Sequence, residues 1–356
     1  AARIGSPTAA GDIEIDSMRL ESALATAGGV NVTMQRAAEV GTVTATEAAQ
    51  VTGAIDTLTL TDTITGATVN VATLDGALLM QAQSRIVAKD GVNIAAVGGD
   101  LTVSAISVTD AKALSYISAT GDLLDGLVAE PAGATGWNVD ALGQLKLKAN
   151  TIGTATDRFD VRGIQISNLV ADKDAYVQLG SQTGTLILDA ATTTSGLLDL
   201  ALTNGDMQIT GNVKSETVKI AVADGGITQR DGTNITAFKD LSLQTTSDIV
   251  LSQLFTEDGA VTLNAGTMGR ILDGTDTELA NIVGTSAKTS VSFTGLSVGE
   301  KRIEGGENVA DIDLAIGRVT SIDGGAEGIY LDAETALDLG RVAITGELEV
   351  QVRSGD

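Results

Sequence analysis

Five residues, Gly99-Asp100-Leu101-Thr102-Val103, spell the phrase that most narrows the folds open to this chain: glycine, any residue, apolar, any residue, apolar. Altered copies start at Gly11, Gly28, Gly53, Gly76, Gly99, Gly121, Gly143, Arg162, Gly184, Gly205, Gly225, Ser247, Gly269, Thr289, Ala310, Glu327 and Gly346. These seventeen starts leave sixteen gaps of 17 to 25 residues, with a mean of about 21. A period of that size marks a stacked repeat, in which each copy buries its apolar face against the next. Further matches at Gly41, Gly196, Gly259 and Gly340 each fall 12 or 13 residues after a start, as a second row would.

Inside each copy the apolar and polar residues alternate with period two, which is the pattern of a half-buried strand. Over residues 57–71 threonines line one side, with Leu58, Leu60 and Ile64 on the other, and β-branched residues suit a pleated surface. Residues 20–26 read either as a short helix or as an alanine-rich corner. Only 2% of the chain is aromatic, so a globule would lack its large core fillers, whereas a narrow aliphatic core needs none. Forty-two glycines against two prolines fit many tight corners between uninterrupted strands.

The expected fold is therefore all-β, a right-handed parallel β-helix (β-solenoid) of about 17 coils of about 21 residues each. Residues 1–356 are expected to form one elongated body, either whole or a segment of a longer array. The strand pattern runs to within a few residues of both ends, which suggests neighbouring repeats or polymerising subunits. The pattern loosens only at residues 129–137, which hold Pro131 and the single tryptophan, Trp137, and read as a loop bulging from a coil. Trp137 is either a contact for a sugar or another subunit, or a plug between that loop and the body.

Histidine and cysteine are both absent, which excludes Ser-His and Cys-His nucleophile pairs, imidazole and thiolate metal ligands, and disulfides. A net charge of -24 would repel phosphate backbones, so no nucleic acid partner is expected. No apolar run has the length of a membrane span. Paired carboxylates at Asp122 and Asp125, Asp273 and Asp276, and Asp311 and Asp313 have the chemistry of glycosidase acids or calcium ligands, but 46 acidic residues make such pairs common. Asp273, Asp276, Asp311 and Asp313 are kept as weak calcium candidates, with no other cofactor and no catalytic residue expected. Residues 157–162 alternate charge on one side with Phe159 and Val161 on the other, the pattern of a cross-strand ion-pair ladder on the surface, with a polysaccharide-binding or lyase-type cluster of acid and base as the alternative.

The whole chain, most specifically Gly99-Asp100-Leu101-Thr102-Val103, Gly205-Asp206-Met207-Gln208-Ile209 and residues 317–352, resembles the haemagglutinin-like and autotransporter-like repeat regions of very large bacterial surface proteins. The resemblance implies a secreted right-handed parallel β-helix, used for adhesion, surface coats or filaments. No export domain or anchor is recognisable. The function expected is structural and non-catalytic: a subunit or segment of an extracellular filament, sheath, coat or adhesin, assembling end to end or laterally, with cell-surface polysaccharide as a further partner. The alternatives are a β-helix enzyme, lyase or hydrolase, acting on polysaccharide, and a glycan-binding adhesin.

Overall fold

In a computed structural model the described residues are 3–4, 8–9, 13–127, 136–275, 279–301, 303–304, 307–308 and 310–353. They contain strands, turns and bends but no helix. The segment that reads as either helix or corner, residues 20–26, is almost wholly inside the strand Ile13–Ala25, because its apolar residues Leu20, Ala23 and Ala25 are needed inward. The chain divides into two units, Ala1–Gln182 and Thr183–Asp356.

In the first unit the strands pair in parallel with those of neighbouring turns, and their alternation places apolar residues in three inward rows. One row stacks Val32, Val51, Val71, Ile94, Ile117, Leu147 and Leu169. A second stacks Val43, Ile64, Ile86, Ile106, Val139, Val161 and Leu179. A third runs Leu58, Leu78, Leu101, Leu123, Ile152 and Ala175. None of these side chains is more than 1% exposed. At about 1.5–3 kcal/mol for each large aliphatic chain removed from water, the rows supply the main driving force for stacking.

The second unit repeats the arrangement. Leu186, Met207, Ile227, Ile249, Ile271, Val298 and Ile329 form one row. Leu198, Val218, Leu241, Val261, Val291 and Val319 form another, and Val213, Ile235, Leu254, Ile282 and Leu314 the third. The one antiparallel pairing among the described residues is a short ribbon, Ile303–Glu304 with Glu307–Asn308.

These parallel ladders make the protein a β-solenoid of about 14 turns, rather than the 17 expected from the phrase. The excess arises because coils differ in length and because each of their sides can begin with the phrase. Ile86 stacks on Ile106, 20 residues on, but Ile106 stacks on Val139, 33 residues on. In the second unit the row following Gly269 continues through Val298 to Ile329, so the starts at Thr289 and Ala310, preceding Val291 and Ile312, belong to the other two sides.

The acid of the opening phrase has a structural task. Asp100 Oδ1 accepts the backbone N–H of Asp122 at 2.8 Å, one coil later. The same bond recurs from Gly226 to Asp206 at 2.8 Å, from Ala260 to Asp240 at 2.9 Å and from Arg270 to Asp248 at 2.8 Å. Each carboxylate satisfies a corner N–H that the strand ladder leaves unpaired. Glycine accompanies these corners because coils approach closely there: Gly225 has φ +139°, and a Cβ on it would collide with the carbonyl of Gly205 in the preceding coil.

Candidate functional site

One outward row of the first unit gathers chemistry that the others lack. In register with one another stand Val87, Ser107, Asp140, Arg162 and Gly180. They face outward because Ile86, Ile106, Val139, Val161 and Leu179 take the neighbouring inward positions. The Arg162 guanidinium forks onto Asp140, with Nε donating to Oδ1 at 3.1 Å and an Nη donating to Oδ2. The Gln182 amide also donates to Asp140 Oδ1. Hydrogen bonding to Asp140 raises the affinity of the Arg162 guanidinium for its proton, so it stays charged at any pH of interest.

Trp137 lies against this row. The guanidinium carbon of Arg162 sits 5.9 Å from the indole centroid, a cation–π distance. The six-membered ring rests over Gly180, where a Cβ would come within 2.5 Å of Cη2. Trp137 thus packs on the body and also lines a groove of about 770 Å³ bordered by Arg85, Ser107, Asp140 and Arg162. Arg85, one outward residue from Val87, is exposed and forms no ion pair among the described residues. The expected loop at 129–137 lies outside the described residues except for Gly136 and Trp137.

The charge alternation of residues 157–162 is seen as expected: Phe159 and Val161 are buried, and Arg162 reaches across the coils to Asp140. Comparable cross-coil pairs join Arg270 to Asp248 at 2.9 Å and Lys288 to Asp258 at 3.2 Å.

The calcium candidates take up hydrogen-bonding duties in the second unit. Asp273 Oδ1 accepts from the Thr275 N–H at 2.9 Å, from the Thr275 hydroxyl at 2.8 Å and from the Asn281 amide at 2.7 Å. Asp276 lies outside the described residues. Asp311 and Asp313 are buried, and Asp313 stacks in register on Asp332. Arg353 bridges these two like charges, at 3.2 Å from Asp313 Oδ1 and 2.7 Å from Asp332 Oδ2. Asn281 links the candidates, since its amide binds Asp273 and its Oδ1 accepts the Asp313 N–H at 2.9 Å. No group of three or more acidic side chains placed to hold a metal ion occurs among the described residues.

Sequence reasoning missed this corner, which the first unit also contains. There Asn138, fully buried, donates to the Val103 carbonyl at 2.7 Å and to Asp125 Oδ1 at 2.6 Å, while its Oδ1 accepts the Asp160 N–H at 2.7 Å. Asp125 Oδ1 also accepts the Leu127 N–H at 2.7 Å. Burial, with weaker help from nearby Asp157, pushes the Asp125 carboxyl above the usual carboxylate range despite the bonds it accepts. The legible signal is Leu-Asp-Gly followed, after an insertion, by Asn and a β-branched residue: Leu124-Asp125-Gly126 with Asn138-Val139, and Leu272-Asp273-Gly274 with Asn281-Ile282. In each unit a buried asparagine pins the two ends of a lengthened coil to each other and to the coils on either side.

Comparison with protein-family models, curated proteins and solved structures finds no match.

Proposed function

We propose that this chain is a structural repeat body of the bacterial surface type, part of an extracellular filament, sheath, coat or adhesin that acts through shape and surface contacts rather than turnover. The observation that carries this reading is that in both units outward charges pair across adjacent coils, as in Arg162 with Asp140 and Arg270 with Asp248, and so help hold the stack together. A body built from nearest-neighbour contacts adds stability roughly coil by coil and suits a spacer or scaffold. The sequence resemblance to haemagglutinin-like and autotransporter-like repeats supports the same placement at the cell surface.

Negative-stain electron microscopy of the purified chain, paired with incubation on polyuronates, tests the proposal. Rods or fibres without release of unsaturated or reducing products are the expected outcome. Sustained turnover of any polysaccharide would replace the structural reading with the enzymatic one. Monodisperse globular particles would refute the scaffold role outright.

A further inference from the structure

We infer that the groove running from Arg85 to Trp137 on the first unit binds a carboxylate-bearing oligosaccharide. This goes beyond the scaffold role, since a scaffold needs no recessed site. It rests on how the coil stack brings an aromatic ring, two guanidiniums and a row of small polar groups onto one side.

Rows on a solenoid are spaced by the strand separation of about 4.8 Å, so the three coil steps from the level of Arg85 to that of Arg162 cover about 14 Å. Over that span the outward positions are small at Ala105 and Ser107, which leaves the concavity between the larger groups at its ends. The volume of about 770 Å³ is in the range of sites that enclose small organic ligands. At one end the Trp137 indole offers an apolar surface to the C–H groups of a pyranose ring, and it is held in orientation by its contact with Gly180 and by the Arg162 guanidinium over the ring. At the other end the guanidinium of Arg85, which no described residue neutralises, presents a planar fork suited to a carboxylate. Between them, Ser107 and the Asp140 carboxylate supply acceptors and a donor for hydroxyl groups.

Charge decides the ligand class. The chain as a whole carries -24, yet among the described residues lining the groove two arginines stand against one carboxylate, that of Asp140. Exposed charges farther away than about 8 Å are screened at physiological ionic strength, so the local positive balance governs what enters. A neutral sugar would leave Arg85 without a partner, whereas a uronate would engage it.

Trp137 is the only tryptophan in the sequence, so emission excited at the red edge of the indole band, where the three tyrosines do not absorb, reports on the groove alone. Titration with a polyuronate-derived oligosaccharide is expected to give a saturable change in Trp137 emission. A neutral oligosaccharide of the same length should bind at least tenfold more weakly. Arg85→Glu, on the wall away from Trp137, should leave the unliganded emission spectrum unchanged and weaken uronate binding at least tenfold. Gly180→Val, which drives a side chain into the indole, should alter the unliganded spectrum and lower affinity by calorimetry. Absence of a saturable signal with the acidic oligosaccharide, equal binding of the neutral one, or full retention of affinity in Arg85→Glu would each overturn the inference. None of these results bears on whether the chain forms rods, so the scaffold reading stands or falls separately.

Discussion

Asn138 offers a direct test of how the lengthened coil of the first unit is held. Replacing it by alanine removes one donor that serves the Val103 carbonyl and Asp125, and one acceptor that serves the Asp160 N–H. Each partner left buried without a bond costs on the order of 1–3 kcal/mol, and for a corner beside half-buried Asp125 the low end applies, giving about 3 kcal/mol in all. Hydrogen exchange of the Asp160 amide is the assay, because solenoid coils open locally and this amide reports on its own corner. A loss of about 3 kcal/mol raises the exchange rate of Asp160 roughly a hundredfold. The Asp313 amide, held by Asn281 in the second unit, serves as the internal control. An Asp160 change of less than about tenfold, or an equal change at Asp313, would show that Asn138 does not hold this corner. Asn138→Asp adds a second reading. It keeps the shape but sets a carboxylate against Asp125, whose carboxyl is already raised by burial. A carboxyl raised in the folded state stabilises the protein below its unfolded value and loses that contribution as pH rises through the folded value. The aspartate variant is therefore expected to approach wild-type protection in mild acid and to open at neutral pH, whereas the alanine variant should show little such dependence.

Other perturbations follow from the ladders. Leu101→Ala, in a fully buried row between Leu78 and Leu123, is expected to cost about 3 kcal/mol and to lower the melting temperature measured by circular dichroism. In Gly274→Ala the new Cβ would lie 2.6 Å from Val250 Cγ1 and 2.8 Å from the Leu251 carbonyl, so overpacking of about 2 kcal/mol is expected in a denaturant titration. Gly184 meets no neighbour but has φ +87°, so Gly184→Ala should cost only about 1 kcal/mol, through conformation alone. Burial raises the Asp248 carboxyl, but the side-chain bond, N–H and charge of Arg270 together outweigh it and leave the carboxyl below its usual range. Its contribution is thus present above the ordinary carboxylate value and is lost as pH falls through the lowered one. Asp248→Asn should therefore flatten the acid side of a melting-temperature profile, and an unchanged profile would show that the pair carries no linkage.

Much of the architecture was legible because a strand that buries one side must alternate, and a stack of identical sides must repeat. The alternation at Leu101 and Val103 announced inward residues, and both are fully buried. The pattern around Phe159 and Val161 likewise gave the correct side to Arg162. Coil number was harder, since Thr289 and Ala310 begin the same phrase as Gly269 yet stand on different sides. The single-residue functions least visible were those of Asn138 and Asn281, ordinary polar letters after an insertion of variable length.

The sequence alone therefore determines an all-β parallel stack, its aliphatic interior, and the exclusion of chemistry that needs histidine or cysteine, since these follow from local alternation and from the residue types present. Only the tertiary structure decides which outward groups meet. Arg162 finds Asp140 at a separation of 22 residues and Gln182 finds the same carboxylate at 42. Those separations are set by how many residues each corner spends before the next strand regains its register, and a hydrophobic period cannot encode a quantity that the loops are free to change.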